Sequence, residues 1–224
     1  MAATPPFEGF RPEAITFLAD LAANNDRAWF TPRKAEYERL LKVPLQALCA
    51  ALGERFTARG LPLTADPARS PFRIYRDVRF GKDKSPYKTA ASARFMAPGG
   101  GPGAYFHLEP GEIYAGGGLY HPEPAVLASW RRLVDTEPAG VRTAINDPAF
   151  VAAYGSLHGD RLTRVPAGYA KDHPERDLLV LKDLIFTTRL SDADVLSPTL
   201  PDTLADLYAA AGPVWALLGR VATG

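Results

Sequence analysis

The sequence predicts an α+β fold: a central antiparallel or mixed sheet flanked by N-terminal and C-terminal helices. Three observations carry this. Apolar residues recur at helical spacing over residues 11–60 and again over 124–221. The stretch between them, 72–120, breaks into short strand-like runs punctuated by glycine and proline. Helices gathered at both ends of a strand cluster do not make alternating βαβ units. No internal repeat or low-complexity linker interrupts the 224 residues, so a single domain over 1–224 is expected.

The elements follow in order. Ile15, Phe17, Leu18 and Leu21 set a helical stripe over 12–23, ended by Asn24 and Asn25. Thr31 and Pro32 read as an N-cap with proline at the first helical position, opening a helix that carries Tyr37, Leu40 and Leu41. Pro44 kinks or restarts it, and helix continues to about residue 60. Residues 72–75 and 89–96 read as strands, and 98–103 as a glycine-proline turn. Residues 104–109 and 112–120 form a hairpin across Pro110 and Gly111. Helices are expected over 124–135, 139–145 and 148–154, an edge strand at 162–165, and helix then strand within 178–190. A last amphipathic helix over 200–221 breaks near Gly212 and Pro213. The glycine run Gly116-Gly117-Gly118 inside a strand signals a bulge or a close approach by backbone or ligand, a tight structural crossing above all.

Composition bounds the function. The chain is 46% hydrophobic and 23% charged, ordinary for a globular protein, with a net charge of +1. So weak a charge gives no global pull toward nucleic acid or an acidic membrane. Residues 1–10 have neither a basic nor an apolar signal region, and no run approaches ~18 apolar residues, so a cytoplasmic protein is expected. The single cysteine, Cys49, lies beside Leu48 and Leu52 and reads as core packing, as do Trp29, Phe30 and Trp130.

Charge is concentrated in residues 73–88. Arg73, Arg76, Arg79, Lys82, Lys84 and Lys88 accompany only Asp77 and Asp83, a local charge of +4 in a chain of +1. Tyr75, Phe80 and Tyr87 are interleaved. In an extended segment Arg73, Tyr75, Asp77 and Arg79 share one face. Gly81, Ser85 and Pro86 turn the chain so that Lys84 and Lys88 can join them. Arginine forks take phosphate or carboxylate in a bidentate grip. The competing reading is a solvated network of neighbouring ion pairs, which contributes ~0–1 kcal/mol per pair.

The same residues carry a resemblance. R-I-Y-R-D-V-R-F-G-K-D-K-S-P-Y-K-T resembles the hallmark segment of a bacterial and fungal family, domain-of-unknown-function family 2461. The opening F-E-G-F, then F-L-A-D-L-A-A-N-N-D-R-A-W-F, G-G-G-L-Y-H-P-E-P and L-T-R-V-P-A-G-Y-A-K-D-H-P also fit. Gly81 departs from the pattern, where a small polar residue is expected. The resemblance implies a cytosolic protein and carries over no catalytic residue.

Two further constellations bear on chemistry. His107 and Glu109 share one strand face with Tyr105, as a base and its orienting carboxylate would, or as a satisfied strand histidine would. The four histidines match no metal motif. Arg164, Tyr169, Lys171 and His173 lie in a punctuated polar segment that reads either as a cap and turn or as a second rim of the basic cavity. The expected site therefore comprises Asp77, Asp83 and His107 as proton-handling groups. Arg73, Arg76, Arg79, Lys84, Tyr87, Lys88, Tyr169, Lys171 and His173 are its ligand-binding groups. An enzyme or sensor for a phosphate- or carboxylate-bearing small molecule suits this set. The alternatives are a nucleic-acid-binding module, with aromatics stacking bases between phosphate contacts, and a protein-interaction module docking an acidic partner.

Overall fold

Helix opens and closes the chain because its apolar stripes do. The computed structural model describes residues 4–77, 79, 83–97 and 100–223. The order is α1 (Pro12–Ala23), α2 (Arg27–Phe30), α3 (Lys34–Tyr37), α4 (Val43–Ala58), β1 (Ala91–Met96), β2 (Gly103–Glu109), β3 (Glu112–Leu119), α5 (Pro124–Thr136), α6 (Pro138–Ile145), α7 (Pro148–Tyr154), α8 (Arg176–Leu179), β4 (Leu184–Arg189), α9 (Asp192–Leu196), α10 (Leu200–Ala210) and α11 (Gly212–Thr223). The four strands form one antiparallel sheet in the order β1-β2-β3-β4, the helices lying N-terminal and C-terminal to the first three strands. The fold is therefore α+β. No helix among the described residues is long and apolar enough to cross a membrane.

The chain divides into two compact units. The first comprises Met1–Phe95, Tyr105–Ala115 and Arg189–Asp206, and the second Met96–Ala104, Gly116–Thr188 and Leu207–Gly224. In the first unit α1 buries Ala14, Phe17, Leu18 and Leu21, and α4 buries Leu45, Leu48, Cys49, Leu52 and Phe56. Burial, helped by the charge of Asp66, pushes the Cys49 thiol up to about 12, so it stays protonated and packs as an apolar residue. In the second unit Trp130 is fully buried and its indole donates to the Leu178 carbonyl at 3.0 Å.

Several local expectations shift. The helix after Asn25 starts earlier than Thr31, because the Asp26 side chain accepts the Trp29 amide at 2.8 Å and caps α2. Thr31–Arg33 is a 3-10 turn inside that run. Before α4, Glu38–Lys42 is a π turn. Pro44 has no N–H for the i−4 carbonyl and its ring crowds that turn, so the ladder widens there instead of breaking. Residues 72–75 are not a strand. They make only the isolated bridge Tyr75↔Tyr87, next to Pro71↔Ala93, because Pro71 and Pro86 have no donors for a ladder. Residues 162–165 likewise form no strand, only the Leu162 amide bond to Val180 beside the bridge Arg161↔Leu181. Pro98 and Gly99, in the expected turn at 98–103, lie outside the described residues.

The glycine run has a packing cause within the second unit. A Cβ at Gly116 would meet the Phe186 carbonyl oxygen, one at Gly117 the Trp215 ring and the Gly103 oxygen, and one at Gly118 the Leu184 carbonyl oxygen. Gly118 also sits at φ +118°. The run is a tight crossing of β3 against β4 with Trp215 laid over it, so none of its three glycines is spare for a ligand.

Gly117→Ala is expected to destabilise the protein by about 2–4 kcal/mol in denaturant unfolding. Gly140→Ala, in α6 with open space around it, is expected to stabilise by about 0.4–1 kcal/mol in the same experiment. Equal effects at the two positions would contradict the crossing.

Candidate functional site

The site grows from the period of two in β2. Phe106 and Leu108 are fully buried, while Tyr105, His107 and Glu109 project from the opposite face, half-buried. Half-buried polar groups need partners, and this row has them. The Tyr105 hydroxyl and the His107 Nδ1 are 3.0 Å apart. The His107 Nε2 lies 3.2 Å from Glu109 Oε2. Glu109 Oε1 accepts from the Thr89 hydroxyl. Tyr105 is also hydrogen-bonded to Ser92 of β1 and Tyr114 of β3. The His107 ring stacks on Tyr114 at 4.7 Å between centroids.

Chemistry fixes the roles along this row. Burial raises both Tyr105 and Tyr114, so both phenols stay protonated near neutrality. A carboxylate only accepts, so neutral His107 presents Nε2–H to Glu109 and leaves Nδ1 to accept from Tyr105. The imidazole is held at both nitrogens, with 13% of its side chain exposed.

The basic segment is strapped to the same unit. Phe72 donates its amide to the Ser92 carbonyl at 2.9 Å and Arg94 donates to Ser70 at 3.0 Å. Arg76 donates to Pro86 at 2.9 Å and Lys88 to Ile74 at 2.8 Å, flanking the Tyr75↔Tyr87 bridge. Tyr87 is 4% exposed and stacks on Phe30 at 4.1 Å. The Asn25 side chain takes both its backbone groups, accepting from the amide at 3.1 Å and donating to the carbonyl at 2.9 Å. Tyr87, expected to edge the pocket, thus anchors the segment.

The two acids expected to move protons are engaged by their neighbours. Asp77 takes the Arg79 guanidinium in a fork at 2.7 and 2.9 Å, which with the Arg79 amide holds its carboxyl below the usual range. Asp83 accepts from the Ser85 hydroxyl at 2.6 Å and its amide at 2.9 Å and pairs with Arg76. Ser85 first, then Arg76, bring it down to about 2. Both acids are exposed and ionised, which suits charge organisation and not proton exchange near neutrality.

The remaining cations gather around Phe72. Lys88 Nζ lies 4.7 Å from that ring's centroid and the Arg94 guanidinium 6.0 Å. Phe72 in turn meets Tyr105 edge-on at 6.2 Å. Burial, then the charges of Arg73 and Arg76, pull the Lys88 ammonium below its ordinary range. Among the described residues, no carboxylate lies within ion-pair distance of Arg73, Lys88 or Arg94. Lys84 is exposed. Val78, Phe80, Gly81 and Lys82, including the expected turn at Gly81, lie outside the described residues.

Tyr169, Lys171 and His173 belong to the second unit. There His173 Nε2 meets Asp135 at 3.1 Å, its Nδ1 accepts the Glu175 amide at 3.0 Å, and Tyr169 meets its ring edge-on. Lys171 is exposed. Among the described residues no group of three His, Cys, Asp or Glu side chains is placed to hold a metal. Thr89, Ser92, Arg94 and Tyr114 were not singled out from the sequence. For Ser92, Arg94 and Tyr114 the one sequence signal is the two-residue period of the strands beside β2, and Thr89, ahead of β1, has none.

No curated protein and no solved structure matches the chain. The model of the family described as conserved hypothetical protein, DUF2461, matches residues 13–216, and with most of its length so matched the chain belongs to that family.

Proposed function

We propose that the first unit binds a phosphate- or carboxylate-bearing small molecule over Phe72, with His107 as the group that exchanges a proton there. The observation that supports it most is the gathering of Lys88 and Arg94 over one exposed ring, with the charge of Arg73 acting on Lys88 and no carboxylate in ion-pair distance of the three among the described residues. Like charges so placed repel, and an anion relieves the repulsion. Lys88, partly withdrawn from water, gains most from a bound anion.

The acids in the segment support the same reading. Asp83 ties down Arg76, and Asp77 ties down Arg79. That leaves Arg73, Lys88 and Arg94 for a ligand. His107 has the orientation of a proton donor or acceptor, with Glu109 behind one nitrogen and a phenol at the other. An enzyme or an anion sensor would use the same parts.

Three outcomes are expected. Calorimetric titration with inorganic phosphate and with a dicarboxylate should show one saturable site, weakened about tenfold by Lys88→Met and again by Arg73→Ala; binding indifferent to both substitutions removes the proposal. Nitrogen NMR of the imidazole should find neutral His107 protonated at Nε2, and an Nδ1–H tautomer would contradict the relay. A carbon NMR titration should place the Asp83 carboxyl midpoint at about 2. The sign follows: a folded-state value depressed below the ordinary ~4 gives order that is present above pH ~4 and lost as pH falls through about 2. A midpoint at the ordinary value would show the Ser85 and Arg76 contacts to be absent in solution.

A further inference from the structure

A cleft of about 550 Å³ lies in the first unit, lined by none of the residues assigned above. Its volume falls in the range of small-molecule pockets, about 300–1,000 Å³. The F-E-G-F segment forms one wall. Gly9 sits at φ +92°, and a Cβ there would meet the Leu196 carbonyl oxygen and Ser197. Phe10 donates its amide to Val195 at 3.0 Å and stacks on Phe106. That wall is therefore pinned in place and the cleft is preformed.

The opposite wall comes from the π turn Glu38–Lys42 and the start of α4. The π turn contributes Arg39 and Leu40, and α4 contributes Val43, Pro44 and Ala47. Such turns interrupt regular helix at a cost and are common at functional sites. Val43 is 40% exposed, an apolar surface left open to water. The charged groups on the cleft are Arg11, Arg39 and Glu8, a net charge of one positive. Neither arginine has a carboxylate within ion-pair distance among the described residues.

We infer that this cleft is a second ligand site, for an amphipathic carboxylate. Arg11 and Arg39 take the carboxylate, and Leu40, Val43, Pro44 and Ala47 take the apolar body. An apolar floor beside two guanidinium groups that pair with no carboxylate among the described residues fits that chemistry better than a neutral lipid, which would leave the arginines unanswered, or an amine, which they would repel. The site is independent of the cations around Phe72, so either reading can fail alone.

Calorimetry with decanoate, decanol and decylammonium tests it on the full chain. In the Lys88→Met chain, whose site over Phe72 is weakened, decanoate should bind with a stoichiometry of one, about tenfold tighter than decanol. Arg11→Ala with Arg39→Ala should remove that preference, and Val43→Trp should block the cleft to all three probes. All these positions are exposed, and an unchanged unfolding transition will show that each variant folds. Inorganic phosphate, which lacks an apolar body, should bind the Arg11→Ala, Arg39→Ala chain as it binds the unsubstituted one. No binding of decanoate, equal binding of decanol, tighter binding of decylammonium, or binding that survives Val43→Trp would each overturn the assignment.

Discussion

The two-residue alternation of β2 constrains the first unit more than any other feature. A strand places neighbours on opposite faces, so committing Phe106 and Leu108 to the core sends Tyr105, His107 and Glu109 together to the other side. A one-residue slip would bury a histidine and a carboxylate against Phe10, at a cost of several kcal/mol. Register is therefore fixed by the core, and the polar row follows from it. Ser92 and Tyr114 reach that row because β1 and β3 pair on either side of β2.

The basic segment depends on a different anchor. Among the described residues of 71–77 and 83–89 the pairing is limited to isolated bridges, since Pro71 and Pro86 interrupt a ladder. Among them, three backbone bonds and one buried ring provide the anchor. Tyr87 lies against Phe30 and is gripped by Asn25 through both backbone groups. With that ring fixed, the flanking residues are fixed too, and Lys88 comes over Phe72. The ion pairs of Asp77 and Asp83 are exposed and contribute little to stability. Their effect is to decide which cations remain uncommitted.

How much of this was legible in the sequence varies by element. Long stripes were: α1 and α5 end close to where their apolar spacing does, and the β2–β3 hairpin follows Pro110-Gly111 as its turn chemistry requires. Residues 72–75 alternate like a strand but have no partner strand, which composition alone does not reveal. The π turn was hidden because Pro44 marks a disturbance without specifying its form. At the site, the alternation placed His107 and Glu109 with Tyr105. It did not reveal Ser92 or Tyr114, whose contacts depend on cross-strand register. The role of Tyr87 depends on Asn25, 62 residues away. Asp77 and Asp83 read as proton carriers because the sequence shows charges and not pairings, and the structure pairs each with an arginine.

The central claim is that the cations around Phe72 form one anion site governed by Lys88. NMR of the chain with its lysines isotopically labelled by reductive methylation, titrated with inorganic phosphate, tests this most directly. The account predicts that the Lys88 resonance moves saturably while that of Lys42, paired with Glu38 in a helix, stays in place. A Lys88 signal that does not move, or that drifts in parallel with Lys42, would contradict it.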